Sequence, residues 1–307
     1  MTDDGFHPSS DDEPFWTETC WFSFFVPERR LSGTLYPLFR RNLGICSSGV
    51  HLWDDTASAP HEIVYDRMLW HLPFPSEDLT DVTLASGLRY RCVEPGMRFE
   101  LGYDDGGELA VDLTFEGLVP AHYLGSAHLD QPGRVRGTLD LRGERIAVDC
   151  LAIRDRTWSR RSDLDVNVGG GSHRGGYSYA AASASEAFQA ITALVGDGGD
   201  YRVLGGYLLR DGEVADLVGG SRRVVERHDS RGHQRRVAIT LEDAKGRTLE
   251  AEGVCHNAFA WQFTPGMFSW NCLTEWSWPG GSGWGEDHDN WSSAAWRAFR
   301  RATISTS

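Results

Sequence analysis

The chain has 307 residues, 40% hydrophobic and 24% charged: apolar mass for one large or two medium domains, and too much for a disordered or fibrous chain. Its 44 acidic side chains outnumber its 30 basic ones, and the net charge of −14 repels nucleic-acid backbones and anionic membrane surfaces alike. Lys245 is the single lysine, which argues against a Schiff-base mechanism.

In chain order, residues 1–16 come first as an acidic tail (Asp3, Asp4, Asp11, Asp12, Glu13) without an apolar signal-peptide core, and disorder is expected there. No run of about 18 apolar residues follows, so stable membrane insertion is not expected. The six cysteines, Cys20, Cys46, Cys92, Cys150, Cys255 and Cys272, include no C-x-x-C pair, and several fall in apolar alternating runs. That is the pattern of buried thiols in a reducing, cytoplasmic setting.

The dominant period is two. Arg98–Tyr103 and Leu109–Phe115 flank Asp104-Asp105-Gly106-Gly107, and Arg134–Leu141 and Arg145–Ile153 flank Arg142-Gly143-Glu144. Val203–Leu209 and Val214–Val218 flank Arg210-Asp211-Gly212-Glu213, and Val237–Leu241 and Leu249–Val254 flank Asp243-Ala244-Lys245-Gly246. Four such hairpins predict an all-β fold of antiparallel barrels or sandwiches. The first and third hairpins, and the second and fourth, lie at similar spacings. Either an ancient duplication or chance likeness of polar hairpins accounts for that. A glycine-rich seam, Val168-Gly169-Gly170-Gly171-Ser172, then separates an N-terminal β-domain (17–160) from a C-terminal one (161–307). Tyr177–Val195 is expected as two strands around Ser185–Glu186. Residues 289–303 are expected as a helix, with Asp287 and Asp289 at its N-terminus.

Twelve Trp, 14 Phe and 9 Tyr either fill cores or line a cavity for an apolar ligand. The candidate pocket residues are Trp21, Trp53, Trp70, Trp158, Tyr179, Trp270 and Trp276, with Glu116 and Glu275 as carboxylates in largely apolar surroundings. Alternation sends Asp155 to one side of its strand and Arg154 and Arg156 to the other. Asp155 is then either a brace or a desolvated general acid. His128 is either a turn histidine or a group that positions water or takes a proton beside Asp155. No phosphate loop and no Gly-x-Ser-x-Gly elbow is present, and the acids of Gly283–Asp289 suit capping better than a metal, so no cofactor and no metal is expected.

His128-x-x-Gln131-Pro132-Gly133-Arg134-Val135-x-Gly137, followed by Asp155-Arg156-x-Trp158, resembles an uncharacterised bacterial subgroup. That subgroup is similar in turn to the AttH-like and carotenoid 1,2-hydratase (hydroxyneurosporene synthase) superfamily, which includes kievitone hydratase. The resemblance runs from about residue 17 onward. It implies two tandem lipocalin-like β-domains packed around a buried apolar site, with no organic cofactor. In the hydratases an Asp, followed three residues later by an aromatic residue and then Gly, closes the first domain. Asp155 and Trp158 match, Ser159 replaces the Gly, and Ile153 stands where an aromatic is common. The resemblance therefore implies a hydratase, dehydratase or isomerase for an unsaturated hydrophobic small molecule (isoprenoid-, steroid- or polyketide-like), with Asp155 donating a proton. The alternatives are a lipocalin-type carrier and a cyclase that excludes water.

Overall fold

Alternating hydrophobicity makes strands wherever one face can be buried. The computed structural model, which describes residues 3–9, 13–161, 174–194, 200–264 and 266–304, is built almost entirely of them. The chain divides into two compact units, residues 1–53 with 64–161, and residues 54–63 with 162–307.

Unit 1 holds β1 (Trp16–Val26), β2 (Leu31–Arg40), β3 (Ile45–Trp53), β4 (Tyr65–Pro73), β5 (Asp81–Thr83) and β6 (Arg89–Glu94). It continues with β7 (Arg98–Asp104), β8 (Leu109–Gly117), β9 (His122–Tyr123), β10 (His128–Leu141) and β11 (Glu144–Arg160). They form one antiparallel sheet, ordered β4-β3-β2-β1-β11-β10-β8-β7-β6-β5 with β9 on β10, curled into a half-barrel. Its core is an aromatic cluster in which Phe22 meets Tyr90, Phe99 and Phe115 at ring-centroid distances of 5.5, 5.8 and 5.4 Å.

Unit 2 holds β12 (Arg174–Ser183), β13 (Glu186–Leu194), β14 (Tyr201–Arg210), β15 (Glu213–Arg227), β16 (Gln234–Asp243) and β17 (Thr248–Cys255). After these come β18 (Phe259–Thr264), β19 (Met267–Trp278), β20 (Gly281–Ser292) and the helix α1 (Ser293–Ile304). Because β17 pairs with β19 as well as β16, eight of these strands close into a barrel, with β18 attached to β19. Phe188, Ala190, Leu208, Ile239, Leu241 and Trp276 fill its interior. All four expected hairpins are present, as β7/β8, β10/β11, β14/β15 and β16/β17. In Arg142-Gly143 and Asp211-Gly212 both turn residues have positive φ, the mirror-image turn that matches strand twist. The two strands expected over Tyr177–Val195 are β12 and β13.

Four expectations need correction. The terminal helix begins at Ser293, because Asp287 and Asp289 belong to β20, where they are fully buried partners of arginines inside the barrel. In each unit the first strand pairs with the last, β1 with β11 and β12 with β20. The topological counterpart of β10/β11 is therefore β19/β20, and that of β7/β8 is β16/β17, not the hairpins matched by turn spacing. Residues 54–63 belong to unit 2, where the Ser58 carbonyl accepts the Ala260 N–H at 2.9 Å. Finally, residues 3–9 are ordered against unit 1: Phe6 packs on Phe39 and Phe74, and His7 stacks on Trp158 at 3.9 Å. The glycine-rich seam at Val168–Ser172 lies outside the described residues.

The Gln131-Pro132-Gly133 run has a steric explanation. A Cβ on Gly133 would sit 2.1 Å from the edge of the Phe115 ring. Gly133→Ala should cost about 1–3 kcal/mol by overpacking, and the cost should shrink in a Phe115→Leu background. Urea unfolding of the four proteins of this cycle measures the coupling.

Candidate functional site

The site starts from the alternation of β11. In register, Arg154 and Arg156 point into the half-barrel, and Asp155 and Thr157 point through its other face. Arg154 and Arg156 are almost completely buried, so each needs a counter-charge. Arg154 takes Asp4 (2.6 Å) and Arg156 takes Glu18 (2.9 Å), while Asp155 pairs with neither.

On the other face the register sets Tyr36, Trp21, Asp155 and Asp130 in one row, with His128 and Thr157 in the next. Trp21 packs edge-on against Tyr36 at 5.6 Å. His128 Nε2 lies 2.9 Å from Asp130 Oδ2, and its Nδ1 lies 2.7 Å from Thr157 Oγ1 and 3.9 Å from Asp155 Oδ1. Thr157 Oγ1 in turn reaches Asp155 Oδ1 at 3.5 Å. Burial and the Arg161 guanidinium, held nearby on Thr19 at 3.1 Å, would drive the proton off His128, but the Asp130 and Asp155 carboxylates outweigh them and raise the imidazole from 6.5 to about 9. These carboxylates favour the imidazolium form of His128. Burial also raises the Tyr36 hydroxyl.

His128, Asp130 and Asp155 are a set whose donor atoms lie within 4.8 Å of one another, close enough for a cation. Both ring nitrogens of His128 are hydrogen-bonded, to Asp130 and to Thr157.

A second polar cluster belongs to unit 2. The alternation of β20 sends Asp287 and Asp289 into the barrel and Glu286 and His288 through the wall. Inside, Arg222 binds Asp287 in a fork (2.9 and 2.5 Å), and Arg227 binds Asp289 at 2.8 Å. On the other face, Tyr179 donates to Glu286 Oε2 at 2.8 Å and His288 Nε2 lies 3.1 Å from the same oxygen. Glu286 Oε1 and both amide atoms of Gln189, two positions along the same register row, are buried without a partner. Unsatisfied buried groups of this kind each cost about 1–3 kcal/mol and mark places where a ligand or water is received.

The other expected site residues scatter. Trp158 is on the Arg156 side of β11, so it cannot face Asp155. Trp53 is fully buried but lies in the Phe25–Ser32 row, away from Asp155. Trp70 is 46% exposed on β4. Glu116 is exposed opposite Arg98 and Arg134, and Glu275 is exposed beside His256. Trp276 fills the barrel core against Phe188, and Trp270 packs on Phe268 and on Trp296 of α1. Of the aromatic candidates only Trp21 joins Asp155, and only Tyr179 joins the Glu286 cluster. Asp130, Thr157, Glu286 and Gln189 were missed. The visible signal for Asp130 was its i, i+2 spacing from His128 in a period-two run.

A family model described as a domain of unknown function, DUF7064, matches residues 1–292. No curated protein matches the chain by sequence. Among solved structures, a protein of Nitrosomonas europaea assigned as AttH is similar at 13% identity and a TM-score of 0.60, over 89% of this chain and 91% of that one. Kievitone hydratase from Nectria haematococca is similar at 8% identity and a TM-score of 0.57, over 92% and 91%. CghA is similar at 13% identity and a TM-score of 0.55, over 92% and 89%, and has also been solved with Sch210972. The likeness is one of fold.

The proton on His128 makes stability depend on pH with a definite sign. A folded-state value of about 9, raised above the unfolded 6.5, gives stabilisation that is complete below pH 6.5 and lost as pH rises through 9. The difference in unfolding free energy between wild type and His128→Gln should fall by about 3 kcal/mol between pH 6 and pH 10. Urea titrations across that range read it.

Proposed function

The chain belongs to the DUF7064 family, and from its site we propose an acid–base enzyme that adds water to, removes water from, or shifts a carbon–carbon double bond in a hydrophobic small molecule. The carrying observation is the half-buried imidazole of His128, held between Asp130 and Asp155 beside Trp21. Likeness of fold to kievitone hydratase agrees with this reading.

The acidity of that group narrows the substrate. Protonating an isolated alkene to a carbocation takes a far stronger acid than an imidazolium near 9. The same imidazolium is well matched to an enolate. We therefore assign the double bond to conjugation with a carbonyl, in place of the isolated polyene bond suggested by carotenoid hydration. In hydration, Asp155 takes a proton from water as its oxygen bonds to the β-carbon. The alkene electron pair moves to the carbonyl oxygen, and His128 protonates the resulting enolate at the α-carbon. The proton on Asp155 then returns to His128 by way of the Thr157 hydroxyl, which lies 3.5 Å from Asp155 Oδ1 and 2.7 Å from His128 Nδ1. Dehydration is the reverse, and isomerisation uses the same two proton transfers without water. Trp158 has no part in these steps, because it lies on the opposite face.

Incubation with a panel of aryl and alkyl α,β-unsaturated ketones in heavy-oxygen water, followed by mass spectrometry, tests the reading. One label per product is expected, and rates should fall 100-fold or more in His128→Gln and in Asp155→Asn. Ligands bound but never converted would support a carrier instead, and unchanged rates in both folded variants would remove these residues from the chemistry.

A further inference from the structure

The half-barrel face opposite Asp155 has a second feature that this activity does not use. A cleft of about 270 Å³ opens there, lined by Pro95, Met97, Pro120, Tyr123 and Leu129, with Arg154 at one end. Its polar end is an anion cradle. The guanidinium of Arg154 and the backbone N–H of Gly96 converge on the carboxylate of Asp4, at 2.6 Å to Oδ1 and 2.7 Å to Oδ2.

The cradle is held from outside. Gln131 Nε2 donates to the carbonyls of Gly96 (2.7 Å) and Val119 (2.8 Å), and its Oε1 accepts from Arg154 Nη1 at 3.3 Å. The Phe99 ring lies 4.1 Å from the Arg154 guanidinium and fixes its plane. Gly96 has φ +73°, the left-handed conformation that turns its N–H toward the carboxylate. All of these groups belong to the sheet and its turns. The anion they hold comes from the short segment 3–9, which forms no strand. Arg154 Nε is buried with no hydrogen-bond partner.

We propose that this cradle and cleft form a binding site for a small amphipathic carboxylate, an arene or short acyl chain bearing one carboxyl group, and that Asp4 occupies its anion subsite in cis. An incoming carboxylate would take the place of Asp4 on Arg154 and Gly96, and its apolar body would lie along Met97, Pro120 and Leu129. The site is separate from His128 and Asp155, on the other side of β10 and β11, so it stands whether or not the double-bond chemistry does. Recognition rests on charge as well as shape, and an amide of the same outline would leave the guanidinium uncompensated.

Calorimetric titration of the full chain with 4-phenylbutanoate, and with 4-phenylbutanamide as the neutral control, tests the proposal. Asp4→Ala should bind the carboxylate at least tenfold more tightly than wild type does, and at least tenfold more tightly than it binds the amide. The added preference should vanish in Asp4→Ala/Arg154→Met. The melting temperature of Asp4→Ala should rise on adding the carboxylate and not the amide. Should Asp4→Ala fail to fold alone, Asp4→Asn, or folding in the presence of the carboxylate, carries the same comparison. Equal binding of acid and amide, equal binding by wild type and variant, or failure of both variants to fold even with the carboxylate would reduce Asp4 to a brace and overturn the proposal.

Discussion

A charge taken out of water must be matched by another charge or by a proton, and the interiors of both units are organised by that rule. Strand β11 carries three charged residues in succession, Arg154, Asp155 and Arg156, and alternation drives them through opposite faces of one sheet. Neighbours in sequence therefore cannot neutralise one another. Each face finds its own partners, and those partners decide what each face can do.

The two faces are matched by different chemistry. Inside the half-barrel the arginines are permanent cations, answered by the carboxylates of Asp4 and Glu18, with His7 also on Glu18 at 3.0 Å. The arrangement holds the segment around Asp4 against the sheet. On the other face Asp130 is fully buried and Asp155 partly so, and the cation between them is an imidazole, with the Arg161 guanidinium close by on Thr19. An imidazole can give up its proton and recover it, which a guanidinium cannot. The barrel repeats the division on β20. Arg222 and Arg227 lock Asp287 and Asp289 inside, whereas Glu286 on the outer side has only a tyrosine hydroxyl and a histidine. In both units the strand that pairs with the first strand carries the charged residues.

Much of this was legible in the sequence. Period-two runs and Asp-Gly or Arg-Gly turns located the hairpins, because turn stereochemistry and alternation are local properties. The separation of Asp155 from Arg154 and Arg156 followed from alternation alone. What could not be read was long-range. Asp4 sits 150 residues from Arg154, and no local pattern distinguishes an acid bound to a buried guanidinium from one in a solvated tail. Asp287 and Asp289 looked like helix caps because Ala and Trp at helical spacing follow them, and only the arginines of β15 show why they stay in a strand. The resemblance carried Trp158 along with Asp155, and an odd spacing of three in a strand puts it on the reverse side. Glu116 and Glu275 looked buried because their neighbours are apolar, yet alternation turns both to solvent.

The account depends most on where the proton of the His128–Asp130–Asp155 group resides. Nuclear magnetic resonance of protein labelled with ¹⁵N in its histidines, followed from pH 5 to pH 11, reads this directly from the ring-nitrogen shifts of His128. The structure predicts both nitrogens protonated at pH 7 and a midpoint near 9. A midpoint at or below 6.5, with a neutral ring at pH 7, would contradict it.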